Sequence, residues 1–410
     1  MSEDDRRSEL HPRDERETLS NSTADEEGDG QSAEPSPPGP ARGREHLRGR
    51  SNWWWLAAGI VGAILLLVLI TPTPAPYRSP GPGLPSPSSP PATPAPTAPA
   101  KSDLKVLGFY DETGERTTPS ALDLLAANRG RIDYFAPFWY KVEADGSLTS
   151  RKEDDSHRLV SQANIPTIPL YNNAGGNETI IKDPAVRSKA IKNIVDNVNQ
   201  NQWAGCNIDF QLLSPSAREG LTNFMAELRA KMPQGKLITM SVMPFGQSEN
   251  KRSPYNYREL AKYVDQLVLM TYDKHSEESG PGPVAPIAWV EENIKAALAE
   301  GIPANKLYLG IATYGYDWKT GAQKDATVMP MKKIPLEKSD NHPYDPKNQS
   351  AYHTYTDSSG VKHEIWWEDE KSLGPKVELA RKYGLYGIAI WRVGYEDQDW
   401  WNNLGKLLNR

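Results

Sequence analysis

Short apolar, β-branched runs recur eight times along the C-terminal three quarters of the chain, each followed by a stretch that reads as a helix. No other feature constrains the fold as strongly. The predicted strands are residues 105–110, 132–138, 166–171, 205–211, 237–243, 266–272, 307–313 and 387–391. Helices are predicted at 119–128, 154–163, 183–202, 215–232, 257–264, 284–300 and 370–383, with a last one at 397–408. The helix at 183 opens with Asp183-Pro184, a good cap and first-turn pair. Eight strand–helix units predict an α/β protein of the (β/α)8 TIM-barrel class. A doubly wound open sheet is the competing arrangement, but no GxGxxG follows the first strand. The interval 314–369 is too long for a simple loop. It contains SAYHTYTDSSGVKHEIWWED, which reads as a hairpin around Ser359-Gly360. A small inserted subdomain is therefore expected between strand 7 and helix 7.

The first quarter of the chain is built differently. Residues 1–52 are rich in Asp, Glu, Arg, Ser and Gly and read as a disordered cytoplasmic tail. Residues 53–70, WWWLAAGIVGAILLLVLI, are uninterruptedly apolar and would span roughly 27 Å as a helix, close to the hydrocarbon thickness of a bilayer. Arg42, Arg44, Arg48 and Arg50 precede the run, and Trp53, Trp54 and Trp55 open it. The excess of cations on that flank predicts a single-pass anchor with the N-terminus in the cytoplasm. A cleaved signal peptide is disfavoured by the long polar stretch before the run. Residues 71–102 are dominated by Pro with Ser, Thr, Ala and Gly, a linker that favours extended backbone. The expected layout is thus tail, membrane span, linker, and an extracellular barrel over 103–410.

Composition excludes several function classes. The net charge of −6 is spread thinly, with no basic stripe interleaved with aromatics, so nucleic acid is not an expected partner. Cys206 is the single cysteine, which rules out an intrachain disulfide and a cysteine-based metal site. His275, His342, His353 and His363 show no ligand spacing, so neither metal nor cofactor is expected.

Barrel chemistry sits at the C-terminal ends of the strands. The residues there include Tyr110, Phe138, Trp139, Asn172, Asp209, Gln211, Met243, Tyr272, Asp273, Tyr314 and Trp391. Aromatic faces among a few polar groups suit a carbohydrate cleft, and they equally suit a plugged barrel mouth.

Particular segments favour the cleft. AGCNIDFQ, residues 204–211, resembles the fourth-strand signature D-G-x-D-x-D-x-E of family-18 glycoside hydrolases. Gly205 and Asp209 match it, while Ala204, Asn207 and Gln211 replace its first aspartate, its middle aspartate and its catalytic glutamate. LMTYDKHSEESGPGPVAPIAWVEENI, from Leu269, is similar to the sixth-strand Met-x-Tyr-Asp region of a bacterial branch that includes spore-cortex and peptidoglycan N-acetylglucosaminidases. LYLGIATYGYDW and YGLYGIAIWRVGYEDQDWW are similar to its seventh and eighth strands. The resemblance covers about 103–410.

The family works by substrate assistance, an exception to the usual two-carboxylate scheme. The sugar's own N-acetyl oxygen attacks the anomeric carbon, an aspartate orients that acetamide, and a glutamate two residues on protonates the leaving oxygen. The resemblance implies that Asp209 keeps the orienting role beside Tyr272. It places Asp273, Tyr314, Met270 and Asn207 around the sugar, with Trp391 as the stacking floor; Trp139 is a further candidate contact. Residues i and i+2 of a strand point the same way, so Asp209 and Gln211 are expected to share the inward face. An amide there can hydrogen-bond a glycosidic oxygen but cannot protonate it. Three readings follow: a non-hydrolytic binder of N-acetylglucosamine-containing glycans such as peptidoglycan or chitin-like chains; a hydrolase that borrows a proton from Asp273, Glu364, Glu368 or Glu396; or an anchored scaffold with no sugar site. The sequence does not give the oligomeric state.

Overall fold

The computed structural model describes residues 104–111, 120–245, 253–334 and 343–410. The expected tail, membrane span and linker lie outside the described residues. Among the described residues no helix is long and apolar enough to cross a membrane.

In chain order the elements are β1 (Lys105–Tyr110), α1 (Ala121–Asn128), β2 (Tyr134–Val142), β3 (Leu148–Ser150), α2 (Asp154–Ala163), β4 (Leu170–Asn172), α3 (Thr179–Lys182), α4 (Pro184–Gln200), β5 (Gly205–Asp209), α5 (Arg218–Lys231), β6 (Leu237–Val242) and α6 (Tyr257–Tyr263). There follow β7 (Gln266–Leu269), α7 (Ile287–Ala299), β8 (Leu307–Ala312), β9 (Tyr314–Lys319), β10 (Thr327–Pro330), β11 (Tyr344–Asp345), β12 (Ser350–Thr356), β13 (Lys362–Trp367), α8 (Glu370–Lys382), β14 (Gly387–Trp391) and α9 (Gln398–Leu408). Strands β1, β2, β4, β5, β6, β7, β8 and β14 pair in parallel, each with the next. The β14–β1 pairing closes the ring into an eight-stranded parallel barrel. The predicted TIM barrel is therefore present. Strand β3 adds to β2 as an antiparallel flap.

The inserted subdomain is a five-stranded antiparallel sheet in the order β10-β9-β13-β12-β11. Its β12–β13 hairpin turns at 357–361, where Gly360 takes the left-handed φ of +86° that a tight turn asks for. A buried ion pair ties the subdomain to the barrel: Lys376 Nζ on α8 lies 2.5 Å from Glu368 Oε2.

Local chemistry explains the element limits. Asp183 caps α4, accepting from the amides of Ala185 and Val186 at 2.8 and 3.1 Å, with Pro184 in the first turn. Strand β4 is shorter than the predicted 166–171 because Pro166 and Pro169 supply no amide to a ladder; Thr167 makes only an isolated bridge to Phe135. Gly205 is required where it stands, since a Cβ there would collide with the backbone of Leu237 on β6.

Alternation along the strands separates two packing layers. Leu107, Phe109, Ala136, Ile168, Leu170, Val268, Tyr308 and Ala389 fill the barrel interior. Their strand neighbours Val106, Tyr110, Phe135, Cys206 and Ile208 pack outward against the helices. The Cys206 thiol is fully buried and pushed up to about 12 by that burial, so it is an inert core group.

Candidate active site

A cleft of about 410 Å³ opens at the C-terminal end of the barrel. Its lining includes Phe109, Asp209, Gln211, Met270, Asp273 and Trp391. No residue of the inserted sheet lines it.

Strand β5 supplies the floor. Asn207 and Asp209 follow each other at i and i+2, so both point into the barrel. Asn207 is fully buried one layer down. Its amide donates to Thr239 Oγ1 at 2.9 Å, and its carbonyl accepts from Ser241 Oγ at 3.2 Å. It therefore supports the floor and does not line the cleft, which corrects its expected place beside the sugar. Asp209 reaches the cleft above it. Gln211 lies just past the end of β5, and its Nε2 donates to Asp209 Oδ1 at 2.8 Å. The two side chains converge as the alternation predicts. Met270 Sδ lies 3.8 Å from the same nitrogen.

The backbone of Gln211 is held by a neighbour that the sequence did not single out. Asn173, itself buried, donates to the Gln211 carbonyl at 2.8 Å and accepts from its amide at 3.0 Å. This two-point clamp fixes the residue where the strand ladder has ended. The signal for it was slight: one polar residue beyond Asn172, in the turn YNNAGG.

Burial sets the electrostatics. It raises the Asp209 carboxyl to about 6, against the lowering effect of the Gln211 amide. Burial raises Asp273 as well, against the hydroxyls of Tyr314 and Tyr316, which donate to its Oδ1 at 2.5 and 2.9 Å. Both tyrosines come from β9 of the insertion. Tyr314 is buried and stands behind Asp273, so its contact with the cleft is indirect, through that carboxylate. Asp273 itself has a positive φ of 61°. Tyr272 lines the cleft beside it.

Trp391 ends β14 and meets Phe109 edge-on, with ring centroids 5.7 Å apart. The sequence alone places Tyr110 at the strand end; the parity of β1 instead brings Phe109 to the cleft and turns Tyr110 outward onto Phe135. The same parity error put Trp139 at the cleft. Ala136 points inward, so Phe138 does too, while Trp139 turns outward. It is fully buried against Trp203 and His157, with centroids 5.3 and 6.2 Å away.

Three of the four carboxylates considered as substitute proton donors are engaged elsewhere. Glu368 is in the buried pair with Lys376. Glu396 is fully buried, accepting from the Gly394 amide at 3.0 Å and from Trp401 Nε1 at 2.7 Å. Glu364 accepts from Trp366 Nε1 at 2.7 Å on β13. Asp273 alone of the four lines the cleft. Among the described residues no group of three or more His, Cys, Asp or Glu side chains could hold a metal ion.

A closed (β/α)8 barrel with an acid-floored, aromatic-walled cleft at its C-terminal face places the protein among the TIM-barrel proteins with a strand-end site. The sequence model described as "Glycosyl hydrolases family 18" matches residues 148–396, and the chain belongs to that family. It is 28% identical over 287 residues to the cortical fragment-lytic enzyme of Bacillus anthracis, covering 66% of each chain. It is 25% identical over 278 residues to mouse di-N-acetylchitobiase, covering 57% of this chain and 74% of that one. Among solved structures, the chitinase of Chromobacterium violaceum superposes with a TM-score of 0.66 at 25% identity, over 75% of this chain and 99% of that one. The Bacillus cereus spore cortex-lytic enzyme SleL superposes with a TM-score of 0.64 at 22% identity, over 74% of both chains, and so shares the fold.

Proposed function

We propose that this chain holds N-acetylglucosamine-containing glycans, peptidoglycan or chitin-like, in the barrel cleft and hydrolyses them weakly or not at all. The observation that carries the reading is the Gln211 amide, 2.8 Å from Asp209, at the position where the family keeps its acid. Asp209 can still accept the N–H of a sugar acetamide, and Trp391 offers a face for stacking. Gln211 can donate to a glycosidic oxygen but has no proton to release, and general acid catalysis is typically worth about 10²–10⁴-fold. The relatives' names support the glycan class. The apolar run at 53–70 supports tethering at a membrane, with the barrel outside the cell.

A scaffold with no sugar site finds less support, since no described residue of the insertion lines the cleft. Residual hydrolysis has one remaining candidate donor in Asp273, a half-buried carboxyl on the cleft wall whose pKa is raised by desolvation. The test is retention of chitooligosaccharides by the purified protein together with product analysis. Retention without turnover fits the proposal. Robust cleavage that Asp273→Asn abolishes would replace it with the hydrolase reading.

A further inference from the structure

Beside the cleft, the rim formed by the ends of β1 and β14 carries a charge cluster that the glycan reading leaves unused. Asp111, just past β1, is shared by two arginines. Arg151 Nη2 reaches its Oδ1 at 3.0 Å, and Arg392 Nη1 reaches its Oδ2 at 2.8 Å. Arg392 directly follows Trp391, and Val393 bonds back to the Phe109 carbonyl at 2.8 Å, so the cluster adjoins the aromatic wall of the cleft. Each guanidinium is braced by a ring. Arg151 lies 4.2 Å from the centroid of Phe138, and Arg392 lies 4.3 Å from that of Tyr395, whose hydroxyl also accepts from it.

Among the described residues the charges do not balance. Two guanidiniums meet one carboxylate, and among the described residues no second carboxylate is paired with either. The side chains of Arg151 and Arg392 are 19% and 11% exposed, so they are dry enough to strengthen a charge contact and open enough to make one. A guanidinium presents five donors in a planar fork suited to carboxylates, and most of these donors remain available here. A neutral sugar chain gives no reason to hold a surplus cation at this edge.

We propose that Arg151 and Arg392 form an anion subsite that reads a carboxylate on a sugar next to the one over Trp391, selecting acidic wall glycans over neutral chitin-like chains. The inference rests on the glycan reading above. The carboxylate can come from a lactyl ether on the sugar or from an attached peptide.

The test compares the affinity of the full-length protein for chitohexaose, for peptidoglycan strands stripped of peptides by an amidase, and for strands that retain them. Acidic strands should bind about 10-fold more tightly than chitohexaose at low salt, as one charge-assisted contact allows. That preference should shrink in ~0.5 M salt, where screening is nearly complete beyond a few ångströms. Arg151→Gln and Arg392→Gln should each lower the acidic-to-neutral ratio. Asp111→Asn should raise it by freeing both guanidiniums, an effect that damaged folding would not produce. A preference for stripped strands identifies the lactyl carboxylate; one confined to peptide-bearing strands identifies the peptide. A ratio near one in the wild-type protein, unmoved by salt and by Asp111→Asn, overturns the subsite. Failure to bind chitohexaose or either strand overturns the glycan reading itself.

Discussion

The smallest structural feature on which the account turns is one hydrogen bond, from the Gln211 amide to Asp209. It ties the Asp209 carboxylate to a group that cannot lose a proton at useful pH. Trp391 and Trp139 make an instructive pair at the same scale. Trp391→Ala should weaken sugar binding about 5- to 150-fold, if a sugar face stacked on the ring contributes on the order of the 1–3 kcal/mol that a stacked base does. Trp139→Ala should instead leave a core cavity and cost about 3–5 kcal/mol in stability, read as a fall in Tm. The Asp209 carboxyl adds a pH signature. Its pKa is raised from 3.8 to about 6, so the folded state favours the neutral form. The corresponding stability is fully present below about pH 4 and is lost as pH rises through about 6, a change of roughly 3 kcal/mol. Chemical denaturation at pH 4.5 and 7.5 should show about two thirds of that loss, roughly 2 kcal/mol, and Asp209→Asn should shrink it. The slope will not vanish, because Asp273, Glu368 and Glu396 are raised by burial in the same direction.

Among elements, the insertion acts as a buttress that stands outside the cleft. Strand β9 delivers Tyr314 and Tyr316 to one oxygen of Asp273, and Trp318 of the same strand donates to the Ser279 carbonyl in the loop that follows Asp273. The buried Lys376–Glu368 pair fixes this sheet against α8. Lys376→Met would leave Glu368 buried without its partner and should cost about 3–5 kcal/mol, measured by thermal or chemical unfolding. The barrel strands and their helices were readable from the sequence because apolar periodicity and turn residues report local geometry directly. The hairpin at Ser359-Gly360 was readable for the same reason. Parity at the strand ends was less so. One residue's error in where the alternation begins exchanges Phe109 for Tyr110 and adds Trp139 to Phe138, and only pairing with neighbouring strands fixes it. The Asn173 clamp and the fate of Glu364, Glu368 and Glu396 depend on contacts between residues far apart in sequence, which periodicity does not encode.

For the molecule as a whole, the proposal is a family-18 barrel that has kept its cleft and given up proton transfer, held near a membrane by a segment outside the described residues. Such a protein would dwell on a glycan where a relative cuts and leaves. The claim is tested most directly by restoring the acid. In Gln211→Glu, two carboxyls would stand where Asp209 and the amide now lie 2.8 Å apart, and mutual repulsion should keep one of them protonated near neutral pH. The deciding measurement is the rate of chitooligosaccharide cleavage by the wild-type protein and by Gln211→Glu, side by side. The account predicts little turnover in the first and a gain of about 10²–10⁴-fold in the second. Fast cleavage by the wild-type protein, or a restored glutamate that changes nothing, would contradict it.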